Sequence, residues 1–127
     1  MPEDRRRFER AKFPIVVRWR CLTTFAEGDA SLPDLAEDIS AGGVCLVLYD
    51  ALKVGDEIEL QFSLLGKGNI QTKARVVWVR QAQMFSGDYR MVKYYAGLEF
   101  IEMSQKDKEF INQIIARLKR NPEQAQA

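Results

Sequence analysis

Six consecutive residues, Asp38-Ile39-Ser40-Ala41-Gly42-Gly43, bring a carboxylate, a hydroxyl and two glycines together between apolar segments. Asp38 can accept from two N–H donors at once and Ser40 can donate to a phosphate or accept from a base. Gly43, following Gly42, lets a flat ligand come close to the backbone. The same spacing also suits an ordinary turn, in which Asp and Ser bond their own backbone and Gly supplies a positive φ. About thirty residues upstream stand Arg5, Arg6, Arg7 and Arg10, four arginines within six positions. Arg6 and Arg10 share a face on a helical turn and reach one ligand from two points in an extended arm. A planar guanidinium can meet O6 and N7 of guanine, or two phosphate oxygens, bidentately. The plainer alternative is a solvated basic tail that brushes nucleic acid without specificity. Taken together, arginine forks, a carboxylate for N1 and N2 of guanine, a hydroxyl and a glycine complement a purine nucleotide with two phosphates.

Composition narrows the chemistry. At 127 residues and 46% apolar the chain can bury one real core. Its net charge is only +1, but residues 1–20 carry seven cations against three anions, a local +4, so the basic charge is at the front. The chain has no histidine, which removes Ser-His-Asp and Cys-His catalysis and the commonest base near neutral pH. Asp34, Glu37 and Asp38 form a single acidic cluster with no second carboxylate group in a contrasting environment, so no catalytic residues are expected. Cys21 and Cys45 cannot complete a usual zinc set and read as buried free thiols, so no metal and no cofactor are expected. Neither a secretory leader nor an apolar run long enough to span a membrane is visible, and the expected location is the cytoplasm.

The elements that must position these groups are mostly strands. Residues 1–12 lack a hydrophobic period and read as a flexible basic arm. A barrel-like body is expected over 13–103. Ile15–Leu22 alternates Val17, Trp19 and Cys21 against Arg18 and Arg20. Glu27-Gly28-Asp29 reads as a turn, Leu32–Ile39 as a partly irregular strand and Val44–Tyr49 as a short apolar one. Ile58, Leu60, Phe62 and Leu64 give the cleanest alternation, and after a hairpin at 66–69 another strand runs from Ile70 to Arg80. In that strand Trp78 falls on the same face as Ile70, Ala74 and Val76. Residues 81–89 read as a loop in which Met84 and Phe85 fold over the barrel end, with an exposed partner contact as the alternative, and Tyr94–Phe100 as the last strand. At 104–121 the period changes: Ser104 begins a capping-box-like spacing, and Phe110, Ile111, Ile114, Ile115 and Leu118 fall on one helical face, a lid for an open end of the sheet. The sum is a mainly β chain, a small closed antiparallel barrel with a C-terminal α-helix.

At this point the sequence resembles the PilZ family, bacterial receptors for cyclic di-GMP. The family's marks are Arg-x-x-x-Arg near the N-terminus and Asp/Asn-x-Ser-x-x-Gly some thirty residues later. Here they stand as Arg6-Arg7-Phe8-Glu9-Arg10 and Asp38-Ile39-Ser40-Ala41-Gly42-Gly43. The likeness continues through Val76-Val77-Trp78-Val79 and Gly97-Leu98-Glu99-Phe100, covering roughly residues 5–118. It implies a six-stranded antiparallel β-barrel with the ligand at its outer rim and an arm that wraps the ligand. Arg6 and Arg10 go to the guanine and phosphates, and Asp38, Ser40, Gly42 and Gly43 to the other side of the ligand. Arg5 occupies the position whose arginine tends in the family to accompany a stacked pair of ligands. The resemblance further implies an unidentified downstream protein partner, in motility, exopolysaccharide or biofilm control, and no specific nucleic acid. Its alternative is a PilZ-like protein-interaction adaptor with no effective nucleotide binding.

Overall fold

The computed structural model describes residues 15–64 and 67–120. The arm with Arg5, Arg6 and Arg10 lies outside these residues. Six antiparallel strands, β1 (Ile15–Cys21), β2 (Glu27–Leu32), β3 (Gly43–Leu48), β4 (Glu57–Leu64), β5 (Lys67–Ser86) and β6 (Tyr89–Glu102), close into a barrel in the order β1-β2-β3-β6-β5-β4. A helical turn, α1 (Leu35–Asp38), separates β2 from β3, and the C-terminal helix α2 (Gln105–Arg120) follows β6.

Alternation builds the barrel. Val17, Trp19 and Cys21 of β1 and Ile58, Leu60, Phe62 and Leu64 of β4 all point into the core, as their period of two requires. On the outside, Glu27, Arg20, Glu59, Lys73 and Glu102 face one another across five strands with alternating sign. Arg20 pairs with Glu59 at 3.3 Å and Lys73 with Glu102 at 3.7 Å. A one-residue slip would break this row and turn the apolar set outward, so the row helps to fix the register.

Helix α2 closes the end of the barrel at which β1 starts and β2 and β6 finish. Ile111 and Ile114 are buried, and Phe110 and Ile115 pack at the edge of the core. Ser104 caps it: its Oγ accepts from Asp107 N–H at 3.1 Å. Ser104→Ala should lower stability by about 1 kcal/mol, read as a small fall in melting temperature with the far-ultraviolet spectrum unchanged.

Three expectations about elements are corrected. Glu27–Asp29 is not a turn but the start of β2; the chain turns earlier, where Phe25 has φ 63° and its N–H bonds Cys21 O at 2.9 Å. Residues 32–39 are not one strand. Past Pro33, Asp34 caps a helical turn, its Oδ1 accepting from Glu37 N–H at 3.4 Å and its carbonyl from Asp38 N–H at 2.7 Å. Residues 81–89 are not a loop over the barrel end. From Trp78 and Gly97 outward β5 and β6 pair without interruption to Ser86 and Tyr89 across a two-residue turn, and the positive φ of Gly87, 61°, is what the first position of a type II′ hairpin turn asks for.

Candidate functional site

The motif lies where β2 crosses to β3. A single ladder pair, Ser31 with Val47, joins those two strands, so α1 and the residues after it bridge a thin seam. Helix α1 rests beside α2. Asp38 ends α1 and turns its carboxylate back, so that Oδ2 accepts from Asp34 N–H at 2.7 Å. Ile39 is buried and bridges Val44. Ser40 N–H donates to Gly43 O at 2.9 Å, and Ser40 Oγ accepts from Gly42 N–H at 3.1 Å. The local hydrogen bonds of an ordinary turn are therefore made. The conformational part of that reading is not, because neither Gly42 nor Gly43 has a positive φ.

Gly43 answers to a different constraint. A Cβ on it would stand 2.2 Å from the carbonyl oxygen of Leu98 on β6, with further β6 backbone at 3.3 and 3.4 Å. The missing side chain lets β3 meet β6. Gly42 is open by comparison, with Ser40 Oγ at 3.8 Å the nearest atom to such a Cβ. The structure thus brings Asp38, Ser40, Gly42 and Gly43 together in one turn and leaves Ser40 and Gly42 exposed.

Burial pushes the Asp38 carboxyl above its ordinary value of 3.8, with the charge of Asp34 adding and the Asp34 N–H opposing. The folded state therefore binds this proton more tightly than the unfolded chain does. Its stabilising contribution is complete below pH 3.8 and is lost as the pH rises through the raised value. Asp38→Asn keeps an acceptor for Asp34 N–H and removes the charge. The variant should melt higher than the parent at pH 7, and the difference should close as the pH is lowered towards 3.8. A parallel pair of melting curves across that range would sink this account. A carboxylate whose ionised form carries such a cost is improved by any cation or N–H donor brought to it.

The outer face of β3, β6 and β5 continues from the motif. Val44, Leu46 and Leu48 point inward, so Cys45 and Val47 point out. Cys45 is accordingly half-buried rather than buried, and only Cys21 meets the expectation of a core thiol. Burial raises the Cys45 thiol, the charge of Asp38 raises it further and that of Arg80 opposes. Carboxylate and guanidinium thus both act on this one point of the surface. Across from Cys45 is Gly97, and the indole of Trp78 lies directly against Gly97, in the space a Cβ would take. Next along the strands, Arg80 sits over the ring of Tyr95, 4.7 Å from its centroid, with Lys93 at 5.4 Å.

Trp78, Arg80 and Tyr95 are absent from the sequence-derived set. Trp78 was expected on the face of Ile70, Ala74 and Val76, but β5 carries a bulge: Val76 faces Leu98 and Trp78 already faces Gly97, leaving Val77 as the extra residue. The bulge moves Trp78 outward, where it is 43% exposed. A glycine inside a strand, Gly97, is the sequence cue for such a close approach. The resulting surface offers a carboxylate, a hydroxyl, an indole and a guanidinium, which suits a flat heteroaromatic ligand with N–H donors and anionic groups. Among the described residues no cluster of metal-ligating side chains occurs, and no helix is long and apolar enough to cross a membrane.

A family model described as the PilZ domain matches residues 4–117. No curated protein sequence matches. Among solved structures, the PilZ domain of YcgR from Escherichia coli with c-di-GMP is 17% identical, with 87% of this chain and 86% of that one covered and a TM-score of 0.66. The apo form of MrkH from K. pneumonia is 18% identical at a TM-score of 0.71, covering 88% of this chain and 49% of that one. The inhibitor of motility MotI/DgrA from Bacillus subtilis is 22% identical at 0.61, covering 86% and 48%. The chain spans about half the length of the last two.

Proposed function

The chain belongs to the PilZ domain family, and from that premise we propose that it is a cytoplasmic, non-catalytic receptor for cyclic di-GMP that passes occupancy to another protein. The observation that carries this is the surface of Asp38, Ser40, Trp78 and Arg80 at the same barrel as a complete Arg6-x-x-x-Arg10 mark. Asp38 accepts from N1 and N2 of a guanine and Ser40 meets a phosphate. Trp78 stacks on a base, and Arg80 balances charge. Arg6 and Arg10 close over the ligand from the arm. The geometry of entry supports this role: Ile15, where β1 begins, pairs with Leu32, two residues before Asp34 and α1. The c-di-GMP in the YcgR PilZ domain structure supports the choice of ligand.

Isothermal titration calorimetry with cyclic di-GMP, and with GTP and linear pGpG as controls, tests it. Saturable binding at micromolar affinity or tighter, selective for the cyclic dinucleotide, is the expected result. A ratio of two ligands per chain would give Arg5 its part in holding a stacked pair, and a ratio of one would remove it. No heat and no thermal shift at high ligand would transfer the function to protein contacts alone, as in an adaptor without nucleotide binding.

A further inference from the structure

The β5–β6 hairpin reaches beyond the barrel. β4 stops pairing with β5 at Arg75 and β3 stops pairing with β6 at Tyr94. Val76 is still held by the turn before β4, its carbonyl accepting from Gly55 N–H at 2.8 Å and its N–H donating to Asp56 O at 2.9 Å. Past it, out to Ser86 and Tyr89, the two strands pair only with each other among the described residues, so Val77–Ser86 keeps one unpaired backbone edge about 30 Å long. Free two-stranded ribbons are marginal in water, and long edges are usually shortened, charged or covered. This one ends in exposed apolar side chains: Phe85 is 74% exposed, Tyr89 77% and Met91 46%. Residues 77–95 also carry Arg80, Arg90 and Lys93 against Asp88, a net +2.

We infer that the Val77–Ser86 edge of β5 is a docking site for an extended, acidic and apolar segment of a partner protein, which adds to the ribbon as a further strand. Backbone pairing satisfies the edge, alternate apolar side chains of the segment meet Val77 and Phe85, and its carboxylates meet the ribbon's cations. Charge decides against a second copy in this place, since two ribbons of +2 would be set side by side. The unpaired backbone decides against nucleic acid, which offers an edge no ladder of donors and acceptors. The inner half of this edge holds Trp78 and Arg80 of the proposed ligand surface, but beyond Ala82 the ribbon carries none of the residues assigned to the ligand, so changes made there separate the two readings.

The test is to pan a random decapeptide display library on the full chain without nucleotide and to synthesise the selected peptides. Expected sequences alternate acidic with β-branched or aromatic residues, and their binding slows amide hydrogen exchange across 77–86. Lys93, opposite Ala82, lies on the face away from Phe85, where the segment's carboxylates fall, and Lys93→Glu should weaken peptide binding at least tenfold. Replacing Gln83–Val92 by Asn-Gly, a two-residue turn between the facing pair Ala82 and Lys93, should abolish binding while cyclic di-GMP titrates as before. Should the shortened chain not fold, Phe85→Ser joins Lys93→Glu as the deciding pair. Failure to select peptides, binding that survives these changes, protection elsewhere than 77–86, ribbon-dependent dimerisation in sedimentation, or binding of oligodeoxythymidine alone would each overturn the inference.

Discussion

Gly43→Ala is expected to be the most damaging single-methyl change in the described part of the chain. The added Cβ would stand 2.2 Å from Leu98 O and close to two further backbone atoms of β6, and a backbone inside a ladder cannot step aside as a flexible side chain can. Leu98 is itself in the core and pairs with Val44, the next residue of β3. Relief therefore requires β3 to lift from β6 at the point where the motif turn is tied down by Ser40 N–H to Gly43 O and by Phe100 N–H to Gly42 O, both at 2.9 Å. Overpacking costs about 1–3 kcal/mol where side chains yield, and this site belongs at the top of that range or above it. A fall of roughly 10 °C or more in melting temperature follows. Gly42→Ala is the matched control: its Cβ meets nothing nearer than 3.8 Å and its φ is not positive, so it should leave the melting temperature within about 2 °C. Equal melting temperatures for the two variants would show that the glycine at 43 serves the ligand and not the β3–β6 contact.

The same residue shows where sequence reasoning stops. Its spacing from Asp38 and Ser40 marked it, but its physical reason is a neighbour fifty-five residues away, which no local pattern contains. The barrel was legible wherever one face of a strand meets the core, as in Ile58-Leu60-Phe62-Leu64, because burial writes a period of two into the residues. The ribbon was not, since neither face of Gln81-Ala82-Gln83 is covered by a core and nothing selects an alternation. Helix α1 is one turn long, too short for a period of 3.6 to show, and its cap, Asp34, looks in sequence like part of an acidic cluster. Trp78 was assigned to the wrong face because a bulge of one residue inverts every side chain after it. The polar turn made by Asp38 and Ser40 was legible because their side chains act locally, bonding within four positions of their own place.

Arg6→Ala and Arg10→Ala are expected to weaken cyclic di-GMP binding by about 1–3 kcal/mol or more each, roughly ten- to a hundredfold or beyond. Both residues lie outside the described part of the chain, so the argument runs from the anchor point. An extended chain spans at most about 3.6 Å per residue. Arg10, five residues before Ile15, thus reaches within about 18 Å of the start of β1, and Arg6 within about 32 Å. The start of β1 is beside the end of β2, from which α1 and the motif follow directly, so both guanidinium groups can arrive over Asp38 and Ser40 without any movement of the barrel. Fixing a free backbone residue costs about 1–2 kcal/mol, so holding some six arm residues in place costs at most about 6–12 kcal/mol. Charge-assisted, bidentate contacts are the class strong enough to offset a cost of that size. Removing one of two forks should then lose more than its own hydrogen bonds, because the arm's closing is opposed by the same entropy with half the contacts to balance it. Calorimetry on variants with unchanged melting temperature measures this, and the double variant should bind no more tightly than the weaker single one. Lys at either position, which keeps the charge and loses the fork, should recover only part of the affinity. Full recovery would make the arm a source of positive potential, and unchanged affinity in the alanine variants would take it out of the site.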